Sequence, residues 1–168
     1  LTGVDVVIFD LAPSAVAEIA GDRLPGRVAR SYRRYRHGPG AFKLDLAIEG
    51  GVPWTNESCR RAGTVHVAGT FEEIALAEKE VNRGSMPERP YVLVGQQYLA
   101  DPGRSKGDLH PVYAYGHVPL GYTGDASEAI LRQIERFAPG FRERIIDSHV
   151  RTPADLEASN ANYLGGDI

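Results

Sequence analysis

Five histidines and one cysteine are the side chains of this sequence best suited to binding a metal ion. They are His37, Cys59, His66, His110, His117 and His149. Metal sites are recognisable in sequence when ligands stand in close pairs, as in Cys-x-x-Cys or two histidines four residues apart. No such pair is present, so we predict no metal site. His66 and His117 fall among apolar and aromatic neighbours, which favours histidines hydrogen-bonded within a sheet.

A second group of chemically capable side chains alternates with apolar residues in two segments, 42–49 and 110–119. These side chains are Lys43, Asp45, Tyr113, Tyr115 and His117. Successive residues of a β-strand point to opposite faces. In each segment these polar side chains therefore lie on the face opposite the apolar side chains that form the core. If the polar sides share one sheet face, its rings and ionisable groups suit a ligand-binding wall or an interface. An ordinary solvated face is the alternative.

Several classes of site are excluded by the absence of their motifs. No serine stands in a Gly-x-Ser-x-Gly elbow, and no phosphate-binding loop is present. The segment GPGAFK has Lys43 where a dinucleotide fingerprint requires its third glycine, so the chain has no nucleotide motif of its own. The arginines of segment 23–36 are spaced as the solvent face of an amphipathic helix, which argues against nucleic-acid binding.

The composition fits one globular domain, residues 1–168, with 42% hydrophobic and 24% charged residues. A net charge of -3 gives no general attraction to nucleic acid or to anionic membranes. A single cysteine favours a reducing compartment, and the cytoplasm is the expected location. No apolar stretch approaches the roughly 20 residues of a membrane-spanning helix. Leu1 is not an initiator Met, and the final NYLGGDI indicates an excised segment.

The elements that position these side chains follow from apolar periodicity and from capping residues. Predicted strands cover 4–9, 42–49, 63–69, 91–97 and 110–119, and a short helix or a helix-to-strand transition covers 141–150. Predicted helices cover 14–20, 24–37, 70–83, 125–138 and a last turn from 153. Turn residues between 91–97 and 110–119 predict an antiparallel hairpin. The order predicts an α+β fold: a mixed, largely antiparallel sheet with helices packed against one face.

Three stretches together resemble the later part of the phytoene-dehydrogenase-related, FAD-dependent oxidoreductases. They are VDVVIFDLAP (4–13), ERFAPGFRERI (135–145) and above all RTPADLEASNANYLGGDI (151–168). Segments 35–47 and 115–119 are also similar to that family, which is related to carotenoid desaturases and more distantly to amine oxidases. The similarity runs through nearly all 168 residues, in matching order.

The resemblance implies a two-domain parent in which one domain holds FAD and a second lobe covers the flavin and shapes the substrate cavity. This chain resembles the second lobe. The implied cofactor-proximal residues are Gly165, Gly166 and Asp167, on the turn that leads back towards the FAD domain. Candidates for the cavity wall are Phe42, Tyr113, Tyr115, His117 and Tyr163. No catalytic residue is identified.

The resemblance also implies partners: the rest of the parent flavoprotein and an apolar small-molecule substrate. The family's Gly-x-Gly-x-x-Gly segment and its flavin-binding tail are absent from this sequence. We therefore expect the chain alone to bind no FAD tightly and to be catalytically inactive, since hydride chemistry belongs to the flavin.

The alternative is a free-standing α+β binding or protein-interaction module without enzymatic activity. The two hypotheses differ in the surface they predict. A lobe separated from its FAD domain should expose a contiguous apolar patch and self-associate through the uncovered face. A free-standing module should carry polar residues there.

Overall fold

A computed structural model describes residues 3–168, so Leu1 lies outside the described residues. Within that range the chain forms five α-helices and one five-stranded sheet. The strands are β1 Gly40–Glu49, β2 Thr64–Val67, β3 Val92–Gly95, β4 Leu109–Val118 and β5 Ile145–Arg151. The helices are α1 Pro13–Ala20, α2 Gly26–Arg33, α3 Phe71–Asn82, α4 Ser127–Glu135 and α5 Pro153–Ser159. Short 3-10 turns occupy Gly21–Arg23, Glu57–Arg61, Gln97–Leu99, Pro102–Arg104, Arg142–Arg144 and Leu164–Gly166.

The sheet has the order β2-β3-β4-β1-β5, and every adjacent pair of these strands is antiparallel. The centre is the pairing of β1 with β4, which runs without a break from Gly40 opposite Val118 to Glu49 opposite Leu109. The predicted hairpin between 91–97 and 110–119 is confirmed as β3 paired with β4. The α+β prediction is confirmed, with an antiparallel rather than a mixed sheet.

One face of the sheet forms the hydrophobic core. Its strand residues are Phe42, Leu44, Leu46, Ile48, Val65, Val67, Val92, Val94, Val112, Ala114 and Val118. Helix α4 covers this face with Ile130 and Ile134, which have no exposed surface, and the half-buried Phe137 packs beside them. Gly116 of β4 leaves the room that α4 needs, because an added Cβ would lie 2.9 Å from a side-chain carbon of Ile130.

Capping residues define the helix boundaries that the sequence predicts. Thr70 and Glu73 form a reciprocal capping box at the start of α3, and Thr152 and Asp155 form another at the start of α5. Helix α2 is shorter than predicted, ending at Arg33 rather than near Gly38. Among residues 3–168, no helix combines the length and apolar character needed to cross a bilayer.

The predicted strand at 4–9 is wrong. Residues 3–10 have no regular secondary structure; Val4, Val6, Val7 and Ile8 are exposed, up to 91% for Ile8, and Phe9 is half-buried. A strand needs a ladder partner as well as an apolar pattern. Both sides of β1 are already occupied, by β4 and β5, and segment 3–10 joins neither edge of the sheet.

A buried amide anchors the segment before β2 to the end of β3. Gln96 is fully buried, and its Oε1 accepts from Trp54 Nε1 at 3.0 Å and from the Tyr98 hydroxyl at 3.3 Å. Its Nε2 donates to the carbonyls of Cys59 and Ala62 at 2.9 and 2.7 Å. Every hydrogen-bonding position of this amide is therefore used, which makes the network both strong and costly to break.

Replacing Gln96 with Leu should destabilise the fold by about 2–4 kcal/mol, because it leaves a buried indole N–H and two carbonyls without partners. Urea unfolding followed through Trp54 fluorescence measures the change. Tyr98→Phe is the control: it removes one long hydrogen bond and should cost less than about 1 kcal/mol. Equal effects of the two substitutions would contradict this role of the amide.

An ion cluster ties α3 to the residue after α4. Glu73 Oε1 accepts from Arg89 Nη1 at 2.6 Å and from Arg136 Nη2 at 3.0 Å. Its Oε2 also accepts from the Thr70 backbone N–H at 2.9 Å. The Thr70 N–H and then the two guanidinium groups lower the pKa of Glu73 to about 2.

This lowered pKa predicts a pH-dependent contribution to stability. The contribution is fully present above the ordinary carboxyl pKa of about 4.5 and is lost as the pH falls towards 2. The unfolding free-energy difference between wild type and Glu73→Gln should therefore shrink between pH 5 and pH 2. Glu80→Gln on the same helix is the control, since Glu80 makes no side-chain hydrogen bond within residues 3–168. A constant difference across this range would contradict the assignment.

Candidate functional site

The sheet face opposite the core carries the rings that the sequence predicts on the polar side of β4. Tyr113, Tyr115 and His117 alternate with buried residues along β4 and are all half-buried. Neighbouring strands add to the same face, because paired residues of a sheet project to the same side. We call this surface the aromatic face: Lys43, Asp45, His66, Tyr91, Tyr113, Tyr115 and His117.

The strand register brings charged groups of β1 beside the rings of β4. Asp45 is paired with Tyr113, and Lys43 with Tyr115. Lys43 Nζ donates to Asp45 Oδ1 at 2.5 Å and lies 5.4 Å from the centre of the Tyr113 ring. A cation at that distance from a ring is attracted by its π-electrons. The two charges of this part of the face therefore neutralise each other.

A glycine of β3 makes room for the Tyr113 ring. Gly95 is paired with Tyr113, and a Cβ added to Gly95 would lie 2.2 Å from a carbon of that ring. The ring thus lies across the backbone of the neighbouring strand, where any side chain would displace it. A glycine inside a strand is a sequence signal for such a close approach, and our sequence interpretation did not use it.

A row of rings continues the face away from Tyr113. The ring centre of Tyr91 lies 5.5 Å from that of His66 and 5.1 Å from that of His117, which lies 6.3 Å from Tyr115. His117 Nδ1 is 2.7 Å from Glu78 Oε1 of α3. Burial, and then the neighbouring phenols, raise the pKa of Tyr115. Helix α4 lies on the opposite face of the sheet and does not cover these rings. The rings therefore shield one another from water.

The structure brings together three of the five predicted cavity residues. Tyr113, Tyr115 and His117 lie on the aromatic face, whereas Phe42 is 1% exposed on the opposite face, within the core under α4. Phe42 belongs to the apolar side of β1, so the alternation that predicts the strand also places this ring in the core. It cannot line the aromatic face. Tyr163 lies elsewhere, beside Asp167 in a cavity of about 350 Å³ near the end of the described chain.

The predicted cofactor-proximal residues form a closely packed junction. Asp167 Oδ2 accepts from the Gly38 N–H at 3.0 Å and lies 3.0 Å from His37 Nδ1. The Gly165 carbonyl accepts from the Gly121 N–H at 2.8 Å. These bonds join the segment before β1, the loop after β4 and the end of the chain at one point.

The junction does not itself form a cradle for the pyrophosphate of FAD. Such a cradle needs free backbone N–H groups and open space. The Gly165 N–H donates to Glu157 Oε2 and the Gly166 N–H to the Tyr163 carbonyl, so both donors are used. A Cβ on Gly166 would lie 2.6 Å from that of Pro153, so this chain's own residues fill the space. These glycines serve packing within the chain.

The close packing at the junction predicts that Gly166→Ala destabilises the fold more than the same change at a glycine with open space around it. Gly166 and Gly140 both have a φ of 83°, but a Cβ meets Pro153 at Gly166 and nothing within 4 Å at Gly140. Both changes to Ala carry the same backbone strain, so Gly166→Ala should cost about 1–3 kcal/mol more than Gly140→Ala. Thermal or urea unfolding of the two variants measures the difference. Equal losses would mean that the contact with Pro153 is not close packed.

Comparison of the sequence with protein-family models and with curated proteins assigns no function to this site. Within residues 3–168 no group of three His, Cys, Asp or Glu side chains is placed to hold a metal ion. The sequence matches no protein-family model, and it shows no significant similarity to any curated protein. The chemistry of the aromatic face therefore has to be argued from its own geometry.

Proposed function

We propose that this chain is the substrate-binding lobe of an FAD-dependent oxidoreductase and that its aromatic face binds an elongated apolar substrate. The observation that carries the proposal is the row of half-buried rings on the sheet face opposite the α4-covered core. The family resemblance of the sequence supplies the class of reaction. The geometry supports the binding role.

The rings suit an apolar ligand because they offer a large apolar contact surface and are held rigidly on the sheet. Tyr113 and Tyr115 stand on β4, the middle strand of the sheet, with the core directly behind them. Each methylene of a ligand that leaves water against such a surface contributes about 0.8 kcal/mol. Rigid rings also lose little conformational entropy on binding, so most of this energy remains available.

The polar groups of the face are suited to orienting a ligand rather than to binding it strongly. Lys43 is paired with Asp45, and His117 with Glu78, and each of these side chains remains partly exposed. Polar groups that already have partners within the chain require no counter-ion from the substrate. An apolar molecule can lie over the rings while one polar end contacts either pair.

The chemical step in this proposal belongs to the flavin. FAD supplies the hydride acceptor when it is bound in a complete enzyme, and the residues described here contribute position and a surface that excludes water. Because the junction at Gly165, Gly166 and Asp167 is filled by this chain, we assign FAD binding to another part of a parent protein. We place this protein in the cytoplasm, on the basis of its single cysteine.

The second candidate is an interaction module whose surface contacts another protein. It is favoured by one observation: Val6 and Ile8 are 76% and 91% exposed in a segment outside the sheet. Exposed apolar residues in one segment are typical of protein contacts. In this case the aromatic face would have no small-molecule ligand.

Titration with all-trans-retinol, an elongated polyene, distinguishes the two functions. Binding is followed by energy transfer from Trp54 and by the fluorescence of the polyene. Tyr115→Ala and Tyr113→Ala should each weaken binding about tenfold, because each removes a ring from the wall. Tyr35→Ala is the matched control: it removes an exposed tyrosine outside the aromatic face and should leave affinity unchanged.

Two results would contradict the proposal. If retinol binds equally well to wild type and Tyr115→Ala, its site is not the aromatic face. If the chain alone binds FAD tightly, as measured by quenching of flavin fluorescence, the cofactor is not held by another domain. Absence of retinol binding would favour the interaction module.

A further inference from the structure

Within the described residues 3–168, strand β5 is an edge of the sheet with one side unpaired. It pairs with β1 on one side and ends the strand order on the other. Residues 146–150 are all exposed. An edge of this kind presents backbone N–H and C=O groups that can pair with another strand. Natural edges are usually protected by Lys, by Pro or by a bulge.

The protection of this edge is weak. The sequence IIDSHVR contains neither Lys nor Pro, and the single register shift is a bulge at Ile146, so the strand is regular only from Asp147 onward. Ile146 and Val150 are 61% and 38% exposed, which leaves apolar surface beside the free backbone. The Ser148 N–H is satisfied only locally, by Asp147 Oδ1 at 2.8 Å. The edge thus carries two exposed apolar side chains beside backbone groups that can accept a strand.

We propose that two copies of this chain pair antiparallel along their β5 edges, about a two-fold axis at Ser148. The occupant of the edge is a second copy because the strand is complementary to itself. In this register Ile146 lies opposite Val150 of the second copy, and Asp147 lies opposite its His149. The symmetry repeats both pairs, so apolar residues meet apolar residues and a carboxylate meets an imidazole twice.

Other registers are less favourable. An axis at Asp147 places two carboxylates directly opposite each other, which is destabilising in a sheet. An axis at His149 places two imidazoles together and sets Ile146 against Thr152, the residue that caps α5. Of the three axes, only the one at Ser148 avoids both of these conflicts.

Pairing at this edge joins two sheets into one continuous sheet. A two-fold axis perpendicular to the sheet leaves both aromatic faces on the same side. In each copy a cavity of about 310 Å³ is lined by Asp45, His110, Asp147 and His149, next to the edge. The two cavities meet at the interface. The inference concerns association alone and does not depend on the function proposed for the aromatic face.

Sedimentation equilibrium of the full chain tests whether the dimer forms. We expect a monomer–dimer equilibrium at 10–500 µM, weakened at least about 100-fold by Ile146→Lys, since the substitution occurs twice in each dimer. Leu76→Lys is the matched control, because Leu76 is 55% exposed on α3, outside the edge, and should leave the equilibrium unchanged. A monomeric wild type across this range, or equal effects of the two lysines, would overturn the proposal.

Cysteine crosslinking tests the register. Directly opposite residues of an antiparallel pair have Cα atoms about 4.5–5.5 Å apart, within reach of a disulfide. Oxidation of Ser148→Cys, in a chain whose Cys59 is replaced by Ala, should give a covalent dimer at least about ten times faster than Asp147→Cys in the same background. Equal rates, or faster crosslinking at position 147, would overturn the axis at Ser148.

Discussion

The antiparallel pairing of β1 with β4 is the constraint on which the rest of this structure depends. The two strands are matched along their whole length, and each alternates apolar and polar residues. Because side chains alternate with a period of two, a shift of one residue would exchange the faces. Leu44 would then lie on the same face as Tyr113, and Asp45 on the same face as Ala114, so neither face of the pair would be wholly apolar. The register of β1 and β4 therefore determines both the core and the aromatic face.

Small residues let other elements approach this central pair closely. Gly116 admits the side chain of Ile130 from α4 on one face, and Gly95 admits the ring of Tyr113 on the other. The buried amide of Gln96 then fixes the end of β3 through hydrogen bonds to the segment that contains Trp54. The positions of the rings are set by backbone clearance and buried polar bonds as much as by hydrophobic burial.

Local sequence signals predicted the elements well, and the errors have a common cause. Alternation located β1 and β4, and the pair Thr70 and Glu73 located the start of α3, because these signals lie within one element. The apolar run at 4–9 carries the same kind of signal, but nothing in it shows that no ladder partner exists. Phe42 was assigned to the cavity from the family resemblance, although its own alternation places it in the core. Tyr91 joins the aromatic face through its backbone pairing with His117, and Glu78 reaches His117 from helix α3; the residues around them encode neither contact.

The position of Tyr113 has a consequence for motion. Its ring lies over the backbone of Gly95, and the ammonium group of Lys43 lies over the ring, 5.4 Å from its centre. A half-turn of the ring about its Cβ–Cγ bond would drive its edge into the neighbouring strand unless the strand gave way. Tyr115 has no glycine partner, since Leu93 stands opposite it. We therefore expect the ring of Tyr113 to flip more slowly than that of Tyr115, at a rate set by small movements of β3 away from the ring.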